Sequence, residues 1–154
     1  MDLSPAFLLE FANRIGAAAQ NAMEVARFGG LETDEVPSPF EVTYEHRTYR
    51  LRRYFPDLVP TTKRQRLARP PVVLVPPMML SADVYDVAPA ISAVAHLAAA
   101  GIDPWVVDFG APENEEGGLE RTLTDHVLAV SDAVDRVREQ TGRDVHLGGY
   151  SQGG

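Results

Sequence analysis

Residues Gly149-Tyr150-Ser151-Gln152-Gly153 set a serine midway between two glycines, in the spacing G-x-S-x-G. A serine that attacks a carbonyl must stand clear of its sheet, on a strained turn between a strand and the helix after it. Glycines two positions to either side relieve the crowding where backbones approach closely. Glycine and serine are common, so the spacing alone is a weak signal. Its position directly after 144–148, which reads as a strand, makes Ser151 a nucleophile rather than an incidental serine in a glycine-rich loop. The chemistry implied is acyl transfer.

Such chemistry needs two backbone N–H donors for the oxyanion of the tetrahedral intermediate. Gln152, directly after the nucleophile, supplies the first. The second falls in Pro76-Pro77-Met78-Met79, after a run that reads as a strand. Proline has no N–H, so Met78 is the first possible donor and Met79 the next. The two prolines stiffen this loop; closing the strand is their equally ordinary role. His46, His96, His126 and His146 all precede Ser151, whereas in folds with this turn the acid and the histidine follow the serine. None of the four is the expected base, and His146 lies too far down its strand. Asp108 ends a strand, where holding the turn is its expected role. No dinucleotide fingerprint or phosphate-binding loop fits the glycines, and the histidines form no ligand-spaced pair. Neither cofactor nor metal is expected.

The elements that must position these residues follow from periodicity. Residues 4–28 read as a helix, with Ser4 as N-cap, Pro5 at its first position and Gly29-Gly30 as its stop. Its stripe of Leu8, Phe11, Ile15, Ala18, Ala22, Val25 and Ala26 packs on its own protein or docks on a lipid surface. An acidic linker leads to an alternating stretch, 41–54, that predicts an antiparallel hairpin turning near His46-Arg47, with Val42, Tyr44, Tyr49 and Leu51 on one face. The loop 56–70 carries Lys63-Arg64-Gln65-Arg66, a solvated cluster or a contact for the phosphates of an acyl-CoA. A β-α-β-α-β pattern follows: strands at 71–75, 105–107 and 144–148, helices at 89–100 and 119–141. The second helix shows Leu123, Val127, Val130, Val134 and Val137 on its apolar face. Alternation of this kind implies an α/β fold with a largely parallel sheet. Two segments result, an N-terminal helix and linker over 1–40 and an α/β domain over 41–154.

Composition bounds the rest. The 154 residues are 45% hydrophobic and 23% charged, as in an ordinary globular domain. With no cysteine there is neither a disulfide framework nor a thiol nucleophile, which fits a cytoplasmic setting. A net charge of −8 opposes general nucleic-acid binding, although eight of the 14 basic residues crowd between Glu41 and Pro70. No apolar run is long enough to span a membrane.

The diproline strand Val72-Val73-Leu74-Val75-Pro76-Pro77, the stretch from Gly101 to Asp108, and the serine turn with its trailing Gly154 resemble bacterial polyhydroxyalkanoate synthases of the α/β-hydrolase superfamily. The resemblance covers about the last 85 residues. It implies an α/β-hydrolase fold, here its N-terminal portion, and an acyltransferase working on hydroxyacyl-CoA units. Those synthases use a cysteine nucleophile; Ser151 stands in that place and pulls the expectation toward ester or thioester hydrolysis. Residues 8–38 resemble the start of large actinobacterial proteins that join such a module to an acyl-CoA ligase region. A non-catalytic α/β module docking an acyl-activating partner or a lipid surface is the alternative. Since the motif is followed by Gly154 alone, the acid and the histidine are expected outside this sequence, and the chain made alone is expected to be inactive, with a broad thermal transition.

Overall fold

The computed structural model describes residues 36–58 and 69–154. The expected helix at 4–28, most of the acidic linker and the basic run Lys63-Arg64-Gln65-Arg66 lie outside the described residues. A mixed five-stranded sheet organises the rest: β1 (Phe40–His46), β2 (Tyr49–Tyr54), β3 (Pro71–Val75), β4 (Asp103–Asp108) and β5 (His146–Gly149), in the order β1-β2-β4-β3-β5. The hairpin β1-β2 joins β4 antiparallel, while β4, β3 and β5 run parallel. The class is α/β, as the alternation of elements implied.

Side chains alternate strictly across β3 and β4, so each face receives its own core. Val73, Val75, Trp105 and Val107 point to one face, where they meet Tyr49 and Leu51 of β2 and the helix α2 (Leu123–Thr141). Leu74 and Val106 point to the other, with Tyr54 and with Val94 of the helix α1 (Ala93–Ala99). A strand buried on both faces reads as an unbroken apolar run, which is why these two were legible. Each fully buried valine among them contributes about 1.5–3 kcal/mol. The crossovers from β3 to β4 and from β4 to β5 run in opposite directions. With one handedness, that places α1 and α2 on opposite faces. In open α/β sheets the crevice at the carboxyl ends of the strands, where the winding reverses, is the usual ligand position. Here that point is the end of β3.

Three expectations are corrected. Val42 does not share a face with Tyr44, because the β1-β2 register shifts between them, pairing Val42 with Arg52 and Tyr44 with Leu51. One extra residue in a strand exchanges its faces. The helix expected over 89–100 is shorter: Pro89–Ile91 is a 3₁₀ turn, and α1 begins only after Ser92, whose side chain accepts the Ala95 N–H at 3.1 Å. Finally, α2 buries His126, Ala129, Ala133 and Val137, leaving Leu123 and Val127 64% and 59% exposed. Alanines let the helix axis come close to the sheet, so that stripe wins over the bulkier one beside it.

The ends of α2 are built locally. Thr122 and Asp125 form a reciprocal capping box, with the Asp125 N–H donating to Thr122 Oγ1 at 3.3 Å and the Thr122 N–H donating to the Asp125 carboxylate at 2.7 Å. Gly142 stops the helix at φ 67° with its N–H on the Arg138 carbonyl at 2.8 Å. Thr122→Ala is expected to lower stability by about 1 kcal/mol, read as a shift in the urea midpoint at constant slope. Among the described residues no helix is long and apolar enough to cross a membrane.

Candidate active site

The site begins where β5 ends. Tyr150 leaves the strand extended, at φ −121° and ψ 131°. Ser151 then turns into the left-handed region at φ 54°. For a residue with a Cβ this conformation costs about 1–2 kcal/mol. A 3₁₀ turn follows, Ser151–Gly153, closed by the Gly153 N–H on the Tyr150 carbonyl at 2.9 Å and the Gly154 N–H on the Ser151 carbonyl at 3.1 Å. Ser151 is left exposed.

The flanking glycines are demanded by space. A Cβ on Gly149 would collide with the Gly153 carbonyl, whose carbon would lie 2.5 Å away. A Cβ on Gly153 would run into the Val75 carbonyl oxygen and stand 2.8 Å from that of Pro76. The obstacles are all backbone, so no side-chain rotation relieves them. The motif therefore folds the turn after β5 down onto the end of β3.

The Pro76-Pro77-Met78-Met79 loop leaves from that same end. Its turn is closed by the Leu80 N–H on the Pro77 carbonyl at 3.0 Å, a bond that does not use the N–H groups of Met78 and Met79. At the other side, Gln152 lies in the first turn of a helical segment, where N–H groups have no partner within the turn. Met78 and Gln152 line one cavity of about 410 Å³, together with Pro76, Phe109 and His126. The structure thus brings Gln152 and Met78 to one space beside the serine turn.

His126, set aside as the base because it precedes Ser151, lines this cavity, a position not foreseen. Its ring packs edge-on against Phe109, centroids 4.6 Å apart, and its Nδ1 lies 2.9 Å from the Thr122 carbonyl. A carbonyl only accepts, so Nδ1 carries the proton. The signal available was its i, i+3 relation to Ala129 on the buried stripe. Among the described residues no hydrogen bond joins a histidine to Ser151: His46 meets Thr48, and His96 meets the Ser92 carbonyl. His146 opens β5 opposite Val72, at the far end of the strand from the turn.

Asp108 holds its turn, as its position implied, and does more. Its buried carboxylate accepts from Arg52 Nη2 at 2.6 Å, Arg52 Nε at 2.9 Å and Arg50 Nε at 3.2 Å. It also accepts the N–H groups of Gly110 at 3.0 Å and Ala82 at 3.2 Å. Burial alone would push this carboxyl up; the Arg52 guanidinium and the two backbone N–H groups outweigh it and hold it below the ordinary range. Among the described residues no cluster of three or more His, Asp or Glu side chains could hold a metal ion.

Comparison with known proteins finds a similarity over nearly the whole chain. Over 147 residues, 94% of its length, the chain is 29% identical to the poly(3-hydroxyalkanoate) polymerase subunit PhaC of Haloferax mediterranei, and it spans 27% of that protein's length. No family model matches the chain. No solved structure matches it.

Proposed function

We propose that this chain carries the nucleophile and oxyanion donors of an α/β-hydrolase-type acyl-transfer enzyme, with Ser151 attacking the acyl carbonyl of an ester or acyl-CoA thioester. One observation carries the reading: Ser151 holds a left-handed conformation at the carboxyl end of β5, between two glycines whose Cβ positions are filled by backbone. A strained serine displayed at the top of a sheet is the arrangement such nucleophiles need. The likeness to a polyhydroxyalkanoate polymerase subunit supports acyl transfer in the same direction.

In the proposed reaction the Ser151 hydroxyl adds to the carbonyl carbon, and its proton passes to a histidine. The oxyanion is bound by the N–H groups of Gln152 and Met78, the second from the loop between the third strand and the first helix. Collapse of the intermediate expels the alcohol or thiol and leaves Ser151 acylated; water or a second hydroxyl then takes the acyl group. The histidine and its acid follow the serine in this type of fold. Neither role is assigned to a residue here; the chain spans 27% of the relative's length. A serine ester is a poorer partner than a thioester for repeated exchange, so hydrolysis or a single transfer is the favoured outcome.

Met78 tests the donor assignment. Its backbone matters and its side chain does not, so Met78→Leu is expected to leave turnover within a few-fold. Met78→Pro removes the N–H and is expected to cost about 10²–10³ in kcat. The comparison is made on the gene product as its cell produces it, with p-nitrophenyl and CoA esters and with both variants matched for folding. Equal activity of the two variants would refute Met78 as a donor. Absence of turnover from either ester in the parent would refute the enzyme.

A further inference from the structure

The Val75 carbonyl is the joint on which both halves of the site turn. Val75 is the last residue of β3, and Pro76 opens the Met78 loop directly after it. Its oxygen accepts the Tyr150 N–H at 3.3 Å, one residue before Ser151, and leaves no room for a Cβ on Gly153, two residues after. One peptide oxygen thus touches the chain on either side of the serine and starts the loop that carries the second donor.

A third group meets the same oxygen. Tyr85 Oη donates to it at 2.8 Å, closer than the Tyr150 N–H. Tyr85 closes the 3₁₀ turn Ala82–Tyr85, packed against the cluster of Tyr54, Leu74, Val94 and Val106. The start of that turn is tied down by the Ala82 N–H on Asp108, the carboxylate that Arg50 and Arg52 hold in place. Burial pushes the Tyr85 phenol up, which keeps it a neutral donor at any pH near neutrality. A rigid line therefore runs from the Asp108 cluster through the 82–85 turn to the end of β3.

Resting on the proposed role of Ser151, we infer that Tyr85 is a positioning residue for acyl transfer: through the Val75 carbonyl it fixes the spacing between the serine turn and the Met78 loop. It touches no substrate. Its hydroxyl holds the peptide that lies three residues before Met78 and accepts the N–H of Tyr150, two residues before Gln152, and small errors in such placement cost rate rather than affinity.

The test is the rate of Ser151 modification by a small alkyl fluorophosphonate in the gene product, resolved into a maximal rate constant and a half-saturating concentration. Tyr85→Phe removes one oxygen and leaves Val75 its bond from Tyr150. It is expected to lower the maximal rate constant about tenfold at an unchanged half-saturating concentration and with a thermal midpoint near the parent's. Incorporation of 3-fluorotyrosine at position 85, which restores the hydroxyl, is expected to return the parental rate. Ser38→Ala serves as the structural control: it breaks the 2.7 Å contact with Asp86, next to Tyr85 in sequence, and should leave the rate per folded molecule unchanged. A Tyr85→Phe protein that reacts at the parental rate overturns the inference. So does one that fails to fold, or slows only in proportion to lost folded protein, since that outcome gives Tyr85 a structural role. If instead Ser151→Ala is modified as fast as the parent, the nucleophile assignment itself is what fails.

Discussion

Replacing Ser151 with alanine is expected to slow acyl turnover of the gene product by about 10⁴–10⁶-fold, with little change in substrate binding. The size follows from what is lost and what stays. The attacking atom disappears, and with it the covalent intermediate that divides the reaction into two easier steps. The N–H groups proposed as oxyanion donors, those of Gln152 and Met78, remain and would still favour attack by water, a residual worth about 10³–10⁴ over the uncatalysed reaction. Stability should stay level, because φ 54° is no easier for alanine and the exposed hydroxyl has no partner to lose among the described residues. Single-turnover kinetics with a chromogenic ester give the comparison. Retention of more than about a hundredth of the parental rate would rule out covalent catalysis at this position.

The second large effect concerns stability. Asp108→Ala is expected to cost about 3–5 kcal/mol, since it leaves Arg52 facing a buried void and strands the Gly110 and Ala82 N–H groups. That is a large share of the 5–15 kcal/mol typical of a small domain. Arg50 and Arg52 keep partial compensation from Glu115 at 2.6 Å and Asp83 at 3.1 Å, which bounds the loss. Urea unfolding followed by the fluorescence of Trp105, the single tryptophan of the sequence, measures it. A cost below about 1 kcal/mol would contradict the accounting of the Asp108 cluster. The same carboxyl carries a pH signature. Its pKa is lowered in the folded protein, so the unfolded chain binds the proton more readily. The stabilisation is complete above the unfolded value, about 3.9, and is lost as pH falls through the lower folded value. Asp108→Asn is expected to flatten this acid-side decline and leave the slope above pH 5 unchanged.

How much of this could be read from the residues depended on how far apart the partners lie. β3 and β4 were legible because both faces are buried and apolar residues follow one another through the middle of each strand. The tight turn at Ser151–Gly153 was legible because its glycine spacing is local, although the Val75 carbonyl that demands Gly153 is not. The face of α2 was misread because two stripes run along the helix side by side, and the one with the larger side chains is the one left half open. Val42 was misread because a register shift is invisible to alternation counting. Arg50 and Arg52 lie 58 and 56 residues from Asp108, and nothing in the hairpin's pattern says where its charged face ends. Tyr85 sits in a stretch without period, so its bond to Val75 appears only once β3 and the 82–85 turn are side by side.

Intact-mass analysis of the gene product after treatment with a fluorophosphonate reads directly whether Ser151 is the nucleophile. One adduct per chain is expected, mapping by peptide digestion to Ser151 and absent from the Ser151→Ala protein. Blocking by prior incubation with a CoA ester substrate would place the adduct at the acyl site. An adduct of equal yield in the parent and in Ser151→Ala would contradict the account, because the serine held between Gly149 and Gly153 would then not be the nucleophile.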